Sequence, residues 1–237
     1  MGIMSGTFDE YNPTYDGNDP LEELIHFTTM IMDSPINFRK NSEYNERTFT
    51  KYVVCCCYDL RGFSAFCVEE PEKAKEIILK LSHEYVELTF DDQCDYYKLL
   101  GDGLLAIYNE SVLKESSRFL KKIEIYMRSI AGLLEKLKYP NSIAAALSYG
   151  IAVEYEIFGG RPNVQYKDYF GYPINAACRL QSMANNNELI IEYGLMQELK
   201  ARKIYKIWNE ENYSNILNEY FKGINQEERI IGRISFA

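Results

Sequence analysis

Tyr52-Val53-Val54-Cys55-Cys56-Cys57-Tyr58-Asp59-Leu60-Arg61-Gly62-Phe63-Ser64 is the stretch on which the fold turns. Its first seven residues form an unbroken β-prone apolar run without polar alternation, the pattern of a strand buried on both faces. Asp59 stands where that strand should end, and Gly62 opens a turn, so rigid backbone would hold a carboxylate at the rim of a sheet. The three consecutive cysteines lack the paired spacing of metal or redox motifs and read as small buried hydrophobes in a reduced compartment.

Downstream, strand and helix signals alternate. Pro71 to Phe90 carries apolar residues at helical spacing (Ala74, Ile77, Ile78, Leu81, Tyr85, Leu88), and Ser116 to Leu137 does the same. Between them, Tyr96–Leu100 and Leu104–Tyr108 flank Gly101-Asp102-Gly103, a hairpin signal. Ala144–Tyr155 reads as a strand, Ile174–Met183 as a helix and Glu188–Glu192 as a short strand; Phe221–Phe236 reads as a strand pair turning near Asn225. These units predict an α+β fold, a ferredoxin-like βαβ-type antiparallel sheet with helices packed on one side of it. Upstream, residues 39 to 50 read as a linker, and Asp19-Pro20 as the start of a short helix, Leu21 to Met32. Residues 1–50 are therefore an expected extension and 51–237 the expected domain.

Charge narrows the function. With 26 Lys+Arg against 35 Asp+Glu, the net charge of −9 argues against a sequence-independent nucleic-acid binder. No apolar run reaches membrane-spanning length, and the polar, acidic N-terminus is not a signal peptide, so the expected location is cytoplasmic.

Three segments could carry chemistry. Asp59 and Asp102 would share divalent cations if the first strand and the hairpin are neighbours. Taken singly, an aspartate at a strand end or hairpin tip is ordinary turn chemistry. The third segment is Asp168-Tyr169-Phe170-Gly171-Tyr172-Pro173-Ile174-Asn175-Ala176-Ala177-Cys178-Arg179-Leu180. Pro173 suits a helix start, which sets Asn175 and Arg179 four apart on one face, able to grip a charged oxygen and a ribose or phosphate together.

In this order and spacing, together with Tyr149-Gly150-Ile151-Ala152 and Phe221-Lys222-Gly223-Ile224, the segments resemble the class III nucleotidyl cyclase catalytic domain of adenylate and guanylate cyclases. The resemblance covers most of residues 51 to 237. It implies Asp59 and Asp102 as ligands of two divalent cations, Mn²⁺ or Mg²⁺, with the Leu60 carbonyl as a further ligand. Asn175 would position the ribose and Arg179 would stabilise charge on the α-phosphate. Lys98 and Asp168 fall at the base-selecting positions. The family builds each site from two protomers, which implies a head-to-tail homodimer. A triphosphate-gripping lysine found in some relatives near the final strand is replaced by Ile224, and Lys222 is not assigned to that task.

Hydrogen-bond polarity leaves the base open: adenine, cytosine and uracil all fit one donor from Lys98 and one acceptor from Asp168. Volume must decide. Cys57 shares the Asp59 face of its strand, Tyr58 is counted with it among the substrate-binding residues, and Tyr169, Phe170 and Tyr172 add bulk beside Asp168. A stand-alone cyclase domain with arginine inside Asp59-Leu60-Arg61-Gly62 resembles the pyrimidine cyclases of the bacterial Pycsar anti-phage system. That resemblance implies UTP as substrate and cyclic UMP as a second messenger sensed by a separate effector protein. Cyclic CMP, cyclic AMP and a catalytically silent nucleotide-binding domain are the alternatives. A diguanylate cyclase would need a GG(D/E)EF-type hairpin, which Gly101-Asp102-Gly103 is not.

Overall fold

The computed structural model describes residues 44–89, 94–159, 164–204, 208–213 and 229–236. The expected helix at Leu21–Met32, the expected turn near Asn225 and the Phe221–Ile224 segment lie outside these residues.

The apolar run Tyr52–Tyr58 lies in the second half of β1 (Tyr44–Leu60). Val53 to Cys56 are wholly buried, and Cys57 and Tyr58 nearly so. The strand begins at Tyr44, so part of the expected linker is sheet. Two helices follow, α1 (Phe63–Glu69) and α2 (Pro71–Thr89). The hairpin comes next, β2 (Cys94–Leu100) and β3 (Gly103–Asn109), then a 3-10 turn at Glu110–Glu115 and α3 (Ser116–Lys136). The second half runs β4 (Ile143–Gly159), β5 (Val164–Gly171), α4 (Tyr172–Gln181), β6 (Glu188–Ile191), α5 (Tyr193–Ala201), β7 (Asn209–Asn212) and β8 (Ile230–Ser235).

Among the described residues the strands form one eight-stranded sheet in the order β2-β3-β1-β4-β6-β8-β7, with β5 also paired to β4. β1 and β4 pair antiparallel without a register shift from Tyr44↔Gly159 to Leu60↔Ile143. The opposite edge of β4 is divided: Ala144–Leu147 pair parallel with β6, and Ala152–Gly159 pair antiparallel with β5. A parallel partner requires a crossover, and α4 lies within it.

Period-2 alternation sorts β1 between two cores. Val54, Cys56, Tyr58 and Leu60 face a large apolar layer with Ile77, Leu81 and Tyr85 of α2 and Ile123, Met127 and Ile130 of α3. Val53, Cys55 and Cys57 face the other way, against Tyr169 and Ala177. Helices therefore cover both faces, not one as the sequence suggested: α4 closes the second face through Ala176, Ala177 and Leu180, small enough to let the helix lie close on the strands. Each fully buried Leu or Ile contributes on the order of 1.5–3 kcal/mol. Among the described residues no helix is long and apolar enough to cross a membrane.

Candidate active site

Asp59 emerges at the end of β1, and Asp102 sits at the tip of the β2–β3 turn. Because β1 pairs directly with β3, in register Tyr58↔Leu104, the two acids meet at one end of the sheet. Their carboxyls lie within hydrogen-bonding reach of each other. Several contacts fix this arrangement. Gly101 and Gly62 adopt left-handed φ of 76° and 73°, which suits glycine. A Cβ on Gly103 would stand 2.7 Å from the Tyr58 carbonyl and 3.2 Å from Asp59 Oδ1, so only glycine lets the hairpin approach. The hydroxyl of Tyr85, a buried residue of α2, donates to the Asp102 carbonyl at 3.1 Å.

Burial and the neighbouring Asp102 charge push the Asp59 carboxyl up to about 6, while Arg61 and Gln181 pull the other way. Burial also raises Asp102, opposed by hydrogen bonds from backbone groups including that of Leu60. Two like charges held together at a half-exposed strand end, with solvent-facing coordination positions left over, suit a hard divalent cation. The oxygen donors brought together here are the two carboxylates; among the described residues no cluster of three or more His, Cys, Asp or Glu forms a closed metal cage. Neither acid lines the two concavities of roughly 400 Å³ that flank Phe236.

α4 carries Asn175, which is exposed, and Arg179, half-buried one turn later. Pro173 sits in the first turn, as its fixed φ favours. Among the described residues the Arg179 guanidinium makes no ion pair or hydrogen bond and is free to meet a ligand. The far end of α4 is tied to the acids. Gln181 Nε2 donates to Asp59 Oδ2 at 3.2 Å, and Arg61 donates to the Gln181 and Ser182 carbonyls at 3.1 and 3.3 Å. Arg61 also stands 3.5 Å from Asp59 Oδ2. Sequence reading missed Gln181; its position half a turn beyond Arg179 was the available signal.

Lys98 and Asp168, seventy residues apart, form an ion pair at 2.6 Å. Lys98 lies on β2 and Asp168 on β5, opposite flanks of the β3-β1-β4 centre, so the ion pair joins two strands that are not neighbours in the sheet. Asp168 is buried yet ionised. Burial would raise its carboxyl, but donors from Lys98, Tyr166, the Tyr169 backbone and Tyr96 outweigh that and hold it at about 2.

Other expected residues fall elsewhere. Tyr58 is 1% exposed and packs on Tyr85 at 6.4 Å between centroids. Alternation turns it away from the Asp59 face, so it is a core residue and cannot contact substrate. Cys57 shares the Asp59 face, but α4 covers it, and its thiol meets that of Cys178. It underlies the site without lining it. Tyr169 is buried against Glu154, and Tyr172 reaches Glu192, so neither adds its bulk at Asp168 as the sequence suggested.

No family model and no curated protein matches the chain by sequence. Solved structures do. The adenylyl cyclase CyaB from P. aeruginosa aligns over 79% of this chain and 94% of its own, at 16% identity and a TM-score of 0.60. The guanylyl cyclase Cya2 aligns over 78% and 92%, at 15% and 0.59. The guanylate cyclase domain of RhGC from Catenaria anguillulae, solved in complex with GTP, aligns over 80% and 98%, at 16% and 0.56. The chain has the fold of class III cyclase catalytic domains.

Proposed function

We propose that this chain is a metal-dependent nucleotidyl cyclase that converts a ribonucleoside triphosphate, preferentially UTP, to its 3′,5′-cyclic monophosphate and pyrophosphate. The observation that carries the reading is the meeting of Asp59 and Asp102 across β1 and the hairpin, on a sheet shaped like adenylyl and guanylyl cyclase domains. A catalytically silent domain would have no need to keep two repelling acids together, nor to leave Arg179 without a partner on α4.

Asp59, Asp102 and the Leu60 carbonyl would hold two divalent cations, Mn²⁺ or Mg²⁺. When bound, these supply Lewis-acid activation of the ribose 3′-oxygen and charge neutralisation on the leaving pyrophosphate. The remaining work belongs to the chain. Arg179 offers an unpaired planar cation for charge growing on the α-phosphoryl oxygens. Asn175, one turn earlier, offers an amide to orient the ribose, which raises the fraction of bound substrate poised for in-line attack. Lys98 supplies a donor to the base edge.

Two copies of the chain would join head to tail, each site taking acids from one and the Asn175–Arg179 helix from the other. The product, read as cyclic UMP, would act as a second messenger for a separate effector in anti-phage defence. Incubating the protein with UTP, CTP, ATP and GTP in Mn²⁺, followed by mass identification of the product, tests the reading. Cyclic UMP is expected. A dominant cyclic AMP product would remove the pyrimidine assignment, and no cyclic product from any triphosphate would remove the enzyme.

A further inference from the structure

Asp168 has no acceptor capacity left for a base. An ionised carboxylate offers about four lone-pair sites, and four donors from this chain take them. Oδ1 accepts from the Tyr96 hydroxyl at 2.9 Å and the Tyr169 backbone N–H at 2.8 Å. Oδ2 accepts from Lys98 Nζ at 2.6 Å and the Tyr166 hydroxyl at 2.7 Å. Asp168 is buried, 8% exposed, whereas Tyr166 is 43% exposed and Lys98 is accessible. Resting on the cyclase reading, we propose that Tyr96 and Tyr166, not Asp168, present the acceptor atoms that read the base, and that their rings size the subsite for a pyrimidine.

The argument follows the protons. Each hydroxyl has one proton and two lone pairs. Both protons are committed to Asp168, which fixes the hydroxyl oxygens as acceptors toward anything in front of them. Their bond to a carboxylate also keeps the phenols protonated: burial and Asp168 raise Tyr96, and hydrogen bonds with Asp168 and Tyr155 raise Tyr166. The Tyr155 hydroxyl takes one of the two Tyr166 lone pairs and leaves the other. Lys98 keeps N–H donors beyond the one spent on Asp168. The surface facing a base is therefore a lysine donor beside tyrosine acceptors. Uracil matches it through O4 and N3–H, and cytosine through N3 and its amino group.

Adenine offers the same polarity, so size separates the candidates. The hydroxyl oxygens of Tyr96 and Tyr166 stand 2.9 and 2.7 Å from the Asp168 oxygens, so a base that pairs with them and not with the carboxylate sits farther out by about that distance. Such a displacement would shorten the space left for the base between that surface and the ribose. A pyrimidine's pairing edge lies closer to its ribose than a purine's, by the width of the fused five-membered ring. The rings are also held in place. Tyr96 packs on Tyr169 at 5.2 Å, Tyr166 on Tyr155 at 5.9 Å, and Tyr155 on Phe170 at 5.8 Å between centroids. A braced aromatic wall yields little to a larger base.

The test uses Tyr96→Phe, Tyr166→Phe, their double variant and Tyr166→Ala. Two readouts are taken: kcat/KM for UTP and ATP, and equilibrium binding of non-hydrolysable UTP and ATP analogues, which needs no turnover. Each Phe variant is expected to lower kcat/KM for UTP about fivefold, mainly through KM, as loss of one neutral hydrogen bond implies. ATP, whose larger base does not seat against the hydroxyls, should be nearly unchanged, so that the UTP-to-ATP ratio falls about fivefold. The double variant should lower it further. Tyr166→Ala should raise ATP use relative to UTP by emptying ring volume. An unchanged ratio in turnover and binding for the double variant, with wild-type melting behaviour, overturns the inference and leaves the cyclase standing. If the double variant does not fold, Tyr166→Phe alone decides, because that residue is largely exposed. Wild-type protein that binds UTP analogues selectively but yields no cyclic product removes the cyclase reading, and the binding ratios still judge the two tyrosines.

Discussion

The Gln181 side chain donates to Asp59 Oδ2 at 3.2 Å, which ties the helix bearing Asn175 and Arg179 to the acid of its own chain. In the proposed head-to-tail dimer this contact would link the two composite sites through each protomer, so that a shift of α4 would be felt at the acids. Gln181→Ala removes a contact that favours the charged form of Asp59. Weaker Mn²⁺ binding near neutral pH is expected, by about three- to tenfold, measured by titration of free Mn²⁺ by electron paramagnetic resonance. Unchanged affinity would mean that the contact is only a packing detail.

Cation binding should be steep in acid. Asp59 must lose its proton to ligate, and burial with the Asp102 charge places that loss at about 6. Mn²⁺ affinity is expected to rise as pH passes upward through about 6 and to flatten above 7. A flat profile between pH 5 and 7 would contradict the pairing of the acids.

Metal-free stability should run the opposite way. A carboxyl raised in the folded state binds its proton more tightly there than in the unfolded chain. Its stabilising contribution is full below the unfolded value and is lost as pH rises through about 6. Asp59→Asn should therefore raise the metal-free Tm at pH 7.5 by about 2–4 °C, a span typical of modest stabilisation in a chain this size. The same variant should abolish the Tm increase that Mn²⁺ gives the wild type. Differential scanning fluorimetry with and without Mn²⁺ reads both.

Gly103→Ala would drive a Cβ to 2.7 Å from the Tyr58 carbonyl, a backbone atom of the central strand that has no room to retreat. A destabilisation of about 1–3 kcal/mol is expected, with a loss of Mn²⁺ binding, measured by urea unfolding and metal titration. Gly101→Ala, with open space around it, costs only its left-handed φ and should lose less.

Mixing Asp59→Ala chains with Arg179→Ala chains should restore activity, because one of the two composite sites in each heterodimer is then intact. Activity recovered to about a quarter of wild type, taking random exchange and one site per heterodimer, is the expected result of a shared-site dimer. Silence in confirmed heterodimers would place both groups in one chain's site.

Much of this was legible from residues alone because it depended on local pattern. The run Tyr52–Tyr58 had to be a central strand, and glycines on either side of Asp102 had to be a turn. Once those were paired, the acids had to meet. β5 was not legible: Val164 to Gly171 mixes polar and aromatic residues without an aliphatic stripe, and Glu154, Tyr155 and Glu156 are among the residues it pairs with on β4. Missing that strand hid the two-residue relation between Tyr166 and Asp168, and with it the meeting of β5 with Tyr96 and Lys98 of β2. The aromatics chosen from sequence were neighbours of Asp168 along the chain, whereas the ones that touch it are neighbours on its face of the sheet or across it. Tyr58 failed for a related reason: adjacency to Asp59 in a strand guarantees the opposite face.

The unbroken pairing of β1 with β4, from Leu60 opposite Ile143 to Tyr44 opposite Gly159, acts as a ruler for everything mounted on it. Asp59 is fixed near one end, and the strand that bears Asp168 hangs from the other. Inserting or deleting a single residue within either strand would invert the facing of every side chain beyond the change and swing one set of groups out of reach of the other. Length variation in descendants of this sequence should therefore concentrate in the turns and leave these two strands untouched.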